Sequence, residues 1–114
     1  MENPELYMIK EADELVGFIE ISMESWNHRL RISNIWVSDS KRHQGIGSKL
    51  MNKGIERAGE LGVRAIVLET QSCNDKAISF YKKHGFTLIG FDLISYSNED
   101  IEKKEVRIEM GKCL

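Results

Sequence analysis

Between positions 42 and 47 the chain reads Arg42-His43-Gln44-Gly45-Ile46-Gly47, a basic loop that runs into two glycines one residue apart. At the start of a helix such a pair has a specific use. The first backbone N–H groups lack partners inside the helix, the helix dipole adds partial positive charge, and glycine removes the Cβ that would hold a phosphate away. An anion, and a pyrophosphate in particular, would be held there. These residues leave one alternative open, a basic loop leading into a glycine-rich helix start that binds nothing. Two other phosphate motifs are excluded by inspection. A dinucleotide fingerprint needs a third glycine where Leu50 stands, and a P-loop needs Gly-Lys-Ser/Thr where this chain has Gly47-Ser48-Lys49.

Such a loop works only if regular elements hold it, and the hydrophobic periodicity supplies them. Leu6 to Ile9 and Leu15 to Ser22 read as two strands joined by a turn around Glu11 to Glu14, an antiparallel hairpin. Leu30 to Val37 alternates as a third strand, with a slip at Ser33-Asn34 of the kind a β-bulge produces. From Ile46 to Leu61 the residues Ile46, Leu50, Met51, Ile55, Ala58 and Leu61 recur at three-to-four spacing, which predicts an amphipathic helix ended by Gly62. Ala65-Ile66-Val67-Leu68 has the continuous apolar character of a strand covered on both faces. Asn74 or Asp75 caps a second helix through about His84, with Gly85 as a left-handed stop, and Phe86 to Ser97 and Val106 to Met110 read as two further strands around a polar loop at 98–102. The expected fold class is α/β (α+β), a mixed, mostly antiparallel sheet in the order β-β-β-α-β-α-β-β. The strand-helix-strand passage through Gly62 calls for one parallel pair with a right-handed crossover.

A length of 114 residues is enough for one domain, so the expectation is a single domain over 1–114. With 41% hydrophobic and 30% charged residues the balance is that of a globular protein rather than a disordered chain. No run approaches the roughly 18 apolar residues that cross a bilayer, and Met1 to Glu5 lacks the basic start of a secretory signal, so no membrane partner is expected and a cytoplasmic location is the default. Cys73 and Cys113 match no metal or disulfide framework and read as free thiols. A net charge of −2 argues against a nucleic-acid partner held by phosphate attraction, although the local cluster Lys41-Arg42-His43 counts for more at the loop than that sum. His28 and His84 show no ligand spacing with each other or with the cysteines, and no metal is expected.

Arg42-x-x-Gly45-x-Gly47 resembles the Arg/Gln-x-x-Gly-x-Gly/Ala signature of the GNAT superfamily of N-acetyltransferases. The later stretch Asn74-Asp75-Lys76-Ala77-Ile78-Ser79-Phe80-Tyr81-Lys82-Lys83-His84-Gly85-Phe86 is similar to that family's Asn-x-x-Ala-x-x-Phe-Tyr-x-x-x-Gly-Phe. Both signatures, about 30 residues apart with a helix and strand between, make the resemblance specific, and it covers the chain from about Leu6 to Met110. The family's usual opening strand and helix pair have no counterpart here. Within the superfamily the likeness is greatest to streptothricin acetyltransferases, antibiotic-resistance enzymes, through Trp26 to Ile32, Leu68 to Gln71 and Gly85 to Leu93.

The resemblance implies acetyl-CoA as co-substrate and transfer of its acetyl group to a primary amine of a small molecule, a streptothricin-like cation among the candidates. It implies that the segment Arg42, His43, Gln44, Gly45, Ile46, Gly47 and Ser48 binds the pyrophosphate, and that Ile35, Trp36 and Val37 hold the acetyl and pantetheine through backbone groups. It also implies that Tyr81 donates a proton to the departing thiolate. Asn74 either caps its helix or bonds the pantetheine arm, Phe80 belongs to the core, and His43 is either a phosphate partner or solvated. For the general base Glu69 is the first candidate, through a pKa raised by partial burial, and Asp92 the second; solvated carboxylates without a catalytic task are the alternative. A catalytically silent acyl-CoA-binding module and a protein or peptide N-acetyltransferase are the competing functions. A homodimer is expected to cover the exposed edge and apolar surface.

Overall fold

The computed structural model describes residues 2–114. They pack as two compact units, one of residues up to Ile66 together with Leu114, the other Val67–Cys113.

In the first unit, β1 (Glu2–Glu11) and β2 (Glu14–Glu24) form the expected antiparallel hairpin. Its two turn residues, Ala12 and Asp13, have φ of 49° and 65°. Left-handed residues at both central positions match the twist of the flanking strands. Both strands run longer than the apolar residues alone suggest, because the pairing continues through the charged ends, to Glu11 opposite Glu14 at the turn. β3 (Arg29–Val37) pairs antiparallel with β2, with Glu20 opposite Asn34 and Ile21 opposite Ile32, which leaves Ser33 as the extra residue. The slip in the alternation is a β-bulge.

Helix α1 (Ile46–Leu61) buries Ile46, Leu50, Met51, Gly54 and Ala58, while Ile55 and Leu61 are only half-buried. The stripe turns toward Gly54 because a Cβ there would lie 3.1 Å from Ile19 Cδ1. Burying each large aliphatic chain of this core contributes roughly 1.5–3 kcal/mol. Gly62, at φ 69°, ends the helix as expected, and the amide of Val63 donates to Ala58 O at 3.3 Å. At the other end α1 closes on β2: a Cβ on Gly17 would stand 3.0 Å from Ile46 Cγ2, Leu50 Cδ1 and the Trp36 carbonyl oxygen. Glycine at 17 therefore sets how closely the start of α1 approaches the sheet. Arg57 on α1 also donates to both carboxylate oxygens of Glu5 on β1, from Nε at 2.8 Å and from Nη2 at 3.1 Å.

β4 (Ala65–Gln71) begins in the first unit and continues in the second, where α2 (Asp75–Lys83), β5 (Thr87–Asp92), α3 (Asp100–Lys103) and β6 (Arg107–Cys113) follow. Within the first unit the strands lie in the order β1-β2-β3, and within the second β6 lies between β4 and β5, with β5 and β6 antiparallel. Residues 65–68 are all buried, as their continuous apolar run predicts. Among the described residues no helix is long and apolar enough to cross a membrane.

Two features of the second unit correct the reading of the sequence. β5 stops at Asp92 rather than near Ser97, because the Asp92 carboxylate accepts from the amide of Ile94 at 2.9 Å and turns the chain before the apolar Leu93-Ile94 pair can extend the strand. The polar loop contains the one-turn α3, whose first residue, Asp100, is buried and accepts from the amides of Tyr96 and Ser97 and the Ser97 hydroxyl at 2.8–3.0 Å. One turn is too short to show a period.

Candidate active site

At the start of α1 the N-cap is Gly45, with φ 79° and no side-chain cap. A Cβ there would meet nothing within 4 Å. The first helical bond runs from Lys49 N to Gly45 O at 3.0 Å, so the amides of Ile46 and Gly47 precede any acceptor that the helix can offer. No acidic residue stands in the first turn. Residues 42–45 are exposed, while Ile46 is buried and anchors the turn beneath them. His43, at φ 64°, shares the left-handed conformation of Gly45 and bends the chain sharply into the helix. This is an open, positively polarised helix start with room above it, the geometry that holds an anion.

The basic side chains contribute less than the local cluster suggests. Lys41 bonds Glu11 at 2.8 Å, which raises its pKa, and Arg42 bonds Asp39 at 3.0 Å. Main-chain amides, more than side-chain charge, make the site. Gln44 Nε2 reaches Ser40 O at 3.5 Å. Ile35 and Val37 are half-buried and Trp36 is 41% exposed, with its ring 5.8 Å from that of Phe18. The bulge at Ser33 lies just ahead of these three residues.

In the second unit, Asn74 caps α2, its side chain accepting from Ala77 N at 3.2 Å. Tyr81 is half-buried against Phe86, with ring centroids 6.1 Å apart, and burial pushes its hydroxyl above the usual tyrosine range. Such a phenol stays protonated at neutral and moderately alkaline pH. Phe80, expected in the core, is only half-buried and lies 4.8 Å from the His84 ring; the buried aromatic is Phe86. His84 is held below its ordinary pKa by burial and by the nearby Lys83 and Lys112.

Glu69 departs from expectation. Its side chain is 50% exposed and its carboxylate pairs with the Arg107 guanidinium, so the burial invoked for a general base is absent. The exposure follows from position, since the buried run of β4 ends at Leu68. Arg107 also bonds Glu109 at 3.2 Å, and its Nε is buried without a partner. Asp92 is half-buried and occupied with the Ile94 amide. The reading of the sequence missed Arg107. The available signal was that Arg107 and Glu109 alternate on one face of β6, facing opposite to the apolar Val106, Ile108 and Met110. Cys73 and Cys113 are exposed free thiols.

Comparison with known proteins agrees with both signatures. The model of the acetyltransferase (GNAT) family matches residues 1–86. Streptothricin acetyltransferase of Streptomyces lavendulae is 37% identical over 83 residues, covering 73% of this chain and 44% of that protein. Streptothricin acetyltransferase A of Bacillus subtilis (strain 168) is 39% identical over 83 residues, covering 73% of this chain and 47% of that one. A Bacillus anthracis protein solved in complex with acetyl coenzyme A superposes with a TM-score of 0.89 at 31% identity, covering all of this chain and 64% of that one. The chain thus spans about half the length of the two curated relatives. Its fold, its glycine loop and the matched family model together establish that the chain belongs to the acetyltransferase (GNAT) family.

Proposed function

We propose that this chain carries the coenzyme-binding core of an acetyl-CoA-dependent N-acetyltransferase acting on a primary amine of a small molecule, with streptothricin-like cations as the first candidates. One observation carries the reading: the open start of α1, uncapped by any side chain and without an acidic residue in its first turn. The arrangement fits a diphosphate, which accepts hydrogen bonds from main-chain amides and takes advantage of the dipole. In this reading the amides from Arg42 through Ser48 hold the pyrophosphate of CoA. Ile35 to Val37, following the bulge, hold the pantetheine and thioester through their backbone.

The chemistry asked of the side chains is small. A neutral amine nitrogen forms a bond to the thioester carbonyl carbon, the carbon–sulfur bond breaks, and the thiolate takes a proton. Tyr81 is the proposed donor, since its raised pKa keeps it protonated at working pH. The amine must lose a proton, to Glu69, to Asp92 or to water. The carboxylate of Glu69 can take that role only when Arg107 shares it or lets it go. A cytoplasmic location and a homodimer belong to the same proposal.

The test combines calorimetric titration with CoA and thiol release from acetyl-CoA across an amine panel that includes streptothricin. Binding with turnover on a small amine is the expected result. Binding without turnover on any small amine or peptide would convert the reading to a silent CoA-binding module, and absence of CoA binding would remove it.

A further inference from the structure

One carboxylate of the first unit stands apart from the others. Among the described residues of that unit three acids are half-buried, Glu5, Glu20 and Glu24. Glu5 is held by Arg57, and Glu24 by Arg29 and Arg31. Glu20 has no hydrogen bond or ion pair with any described residue. A carboxylate that gives up part of its hydration without a partner costs free energy that the fold does not recover.

The register fixes where Glu20 faces. Helix α1 packs on Gly17 and Ile19, so the alternation along β2 turns Phe18 and Glu20 to the other face of the sheet. There Glu20 lies opposite Leu6 of β1 and Asn34 of β3, and Phe18 lies opposite Met8 and Trp36. None of these neighbours carries charge. The nearest charged side chains along β2 and β3, Glu24 and Arg31, bond each other. On β1, Glu5 is turned to Arg57 of α1, and Lys10 stands four residues beyond Leu6. The face is open, with Leu6 and Met8 each 52% exposed.

Asn34, across the ladder from Glu20, immediately precedes Ile35 to Val37, the segment proposed to hold the thioester. Opposite Cβ atoms stand about 4.5–5.5 Å apart, a span that a glutamate side chain and one water cover. A coenzyme gripped at the start of α1 reaches β3 from the α1 side, so the amine meets the carbonyl from the face that carries Glu20. Of the routes for the amine proton, the one through water needs a base that takes the proton onward. We propose that Glu20 is that base. The proton passes from the ammonium of the acceptor to a water and from the water to the Glu20 carboxylate. The freed lone pair then bonds the thioester carbon as the carbon–sulfur bond breaks. The assignment rests on the acetyl-transfer reading, and it leaves Glu69 with Arg107 and Asp92 with the Ile94 amide.

The experiment follows acetylation of streptothricin by the full chain from about pH 7 to about pH 9.5, below the alkaline limb expected of Tyr81, and separates kcat from KM. Glu20→Gln keeps the shape of the side chain and removes its basicity. Its kcat should fall about 100-fold at pH 7. By about pH 9.5, where solvent neutralises much more of the amine, kcat should return to within about threefold of the wild type. Glu20→Leu, which suits the apolar neighbours, should repeat that pattern with a second shape, and Glu20→Asp should restore most of the rate at pH 7. Leu6→Ala disturbs the same face without touching proton transfer and should keep the wild-type profile. CoA affinity measured by calorimetry should be unchanged in all four. A loss in Glu20→Gln and Glu20→Leu that is equal at every pH would assign a structural role, and a change confined to KM would assign ammonium binding. Either result, or undiminished kcat at pH 7, overturns the proposal and leaves acetyl transfer standing. A wild type that fails to bind CoA, or binds it without turnover on any amine, removes acetyl transfer and with it the reaction that Glu20 serves.

Discussion

The two long helices begin in opposite ways. At α2 the chain completes its own first turn, with the Asn74 side chain accepting from Ala77 N and Asp75 supplying negative charge. At α1 the cap is a glycine without a side chain, the first turn carries no acid, and the space over Gly45 is open. A helix start that satisfies itself serves the fold. One left polarised and bare is available to an anion from outside, which is why the functional reading rests on α1 although both helices lie in family signatures.

The strongest challenge to this contrast is to give α1 the charge that α2 already has. Gly47→Asp places a carboxylate in the first turn, where it favours the helix by about 0.3–1 kcal/mol but opposes a bound diphosphate. The expected outcome is opposite signs from one substitution: thermal stability held or slightly raised, and CoA affinity measured by calorimetry reduced about 100-fold or more. Equal affinity in this variant would show that the loop does not hold the phosphates.

A second test moves from binding to proton transfer. Tyr81→Phe removes the hydroxyl but keeps the ring against Phe86, so kcat should fall by about 100-fold with CoA affinity unchanged. The sign of the pH dependence follows from the raised pKa. A donor works while protonated, so wild-type activity attributable to this group persists beyond the ordinary tyrosine value of 10.0 and falls only as pH rises through the higher value. That alkaline limb should be missing from the Tyr81→Phe profile.

Sharpening the contrast from the other helix, Asn74→Ala deprives α2 of its cap and should cost about 1 kcal/mol in denaturant unfolding. Asn74→Asp keeps the cap oxygen and should keep the stability. If it also raises the KM for acetyl-CoA, the lost amide N–H served the pantetheine arm as well as the fold.

The smallest expected effect concerns α3. Burial opposes charge on Asp100, but hydrogen bonds from the Tyr96 and Ser97 amides and the Ser97 hydroxyl prevail, with help from Lys103, and hold its pKa below the usual 3.8. A depressed pKa means that the stabilisation is fully present above the unfolded value and is lost as pH falls through the folded one. Amide exchange at Tyr96 and Ser97 should therefore accelerate below about pH 4 in the wild type. In Asp100→Asn that acid dependence should disappear.

Signals carried by a glycine, a cap or a break in the alternation were legible and were read correctly. Gly62 and Gly85 end their helices at positive φ, Asn74 caps α2, and the broken alternation at Ser33 is a bulge. The errors arose where a single side chain overrode a pattern. Leu93 and Ile94 look like strand, yet the Asp92 carboxylate turns the backbone first, and Asp100 organises a helix of four residues that no period can announce.

At the candidate site the division is the same. The amino-acid order alone determined the open helix start, because a glycine pair after a basic loop has its effect within one turn of chain. Tertiary structure decided the surroundings of Glu69, since Arg107 lies 38 positions away and is brought to it by strand pairing rather than by proximity in sequence. It also decided the importance of Gly17, an unremarked glycine until Ile46 and Leu50 of α1 close over it. Residue types fix what a backbone segment can do by itself, whereas partners across a sheet depend on register, and register is set by the whole packed core.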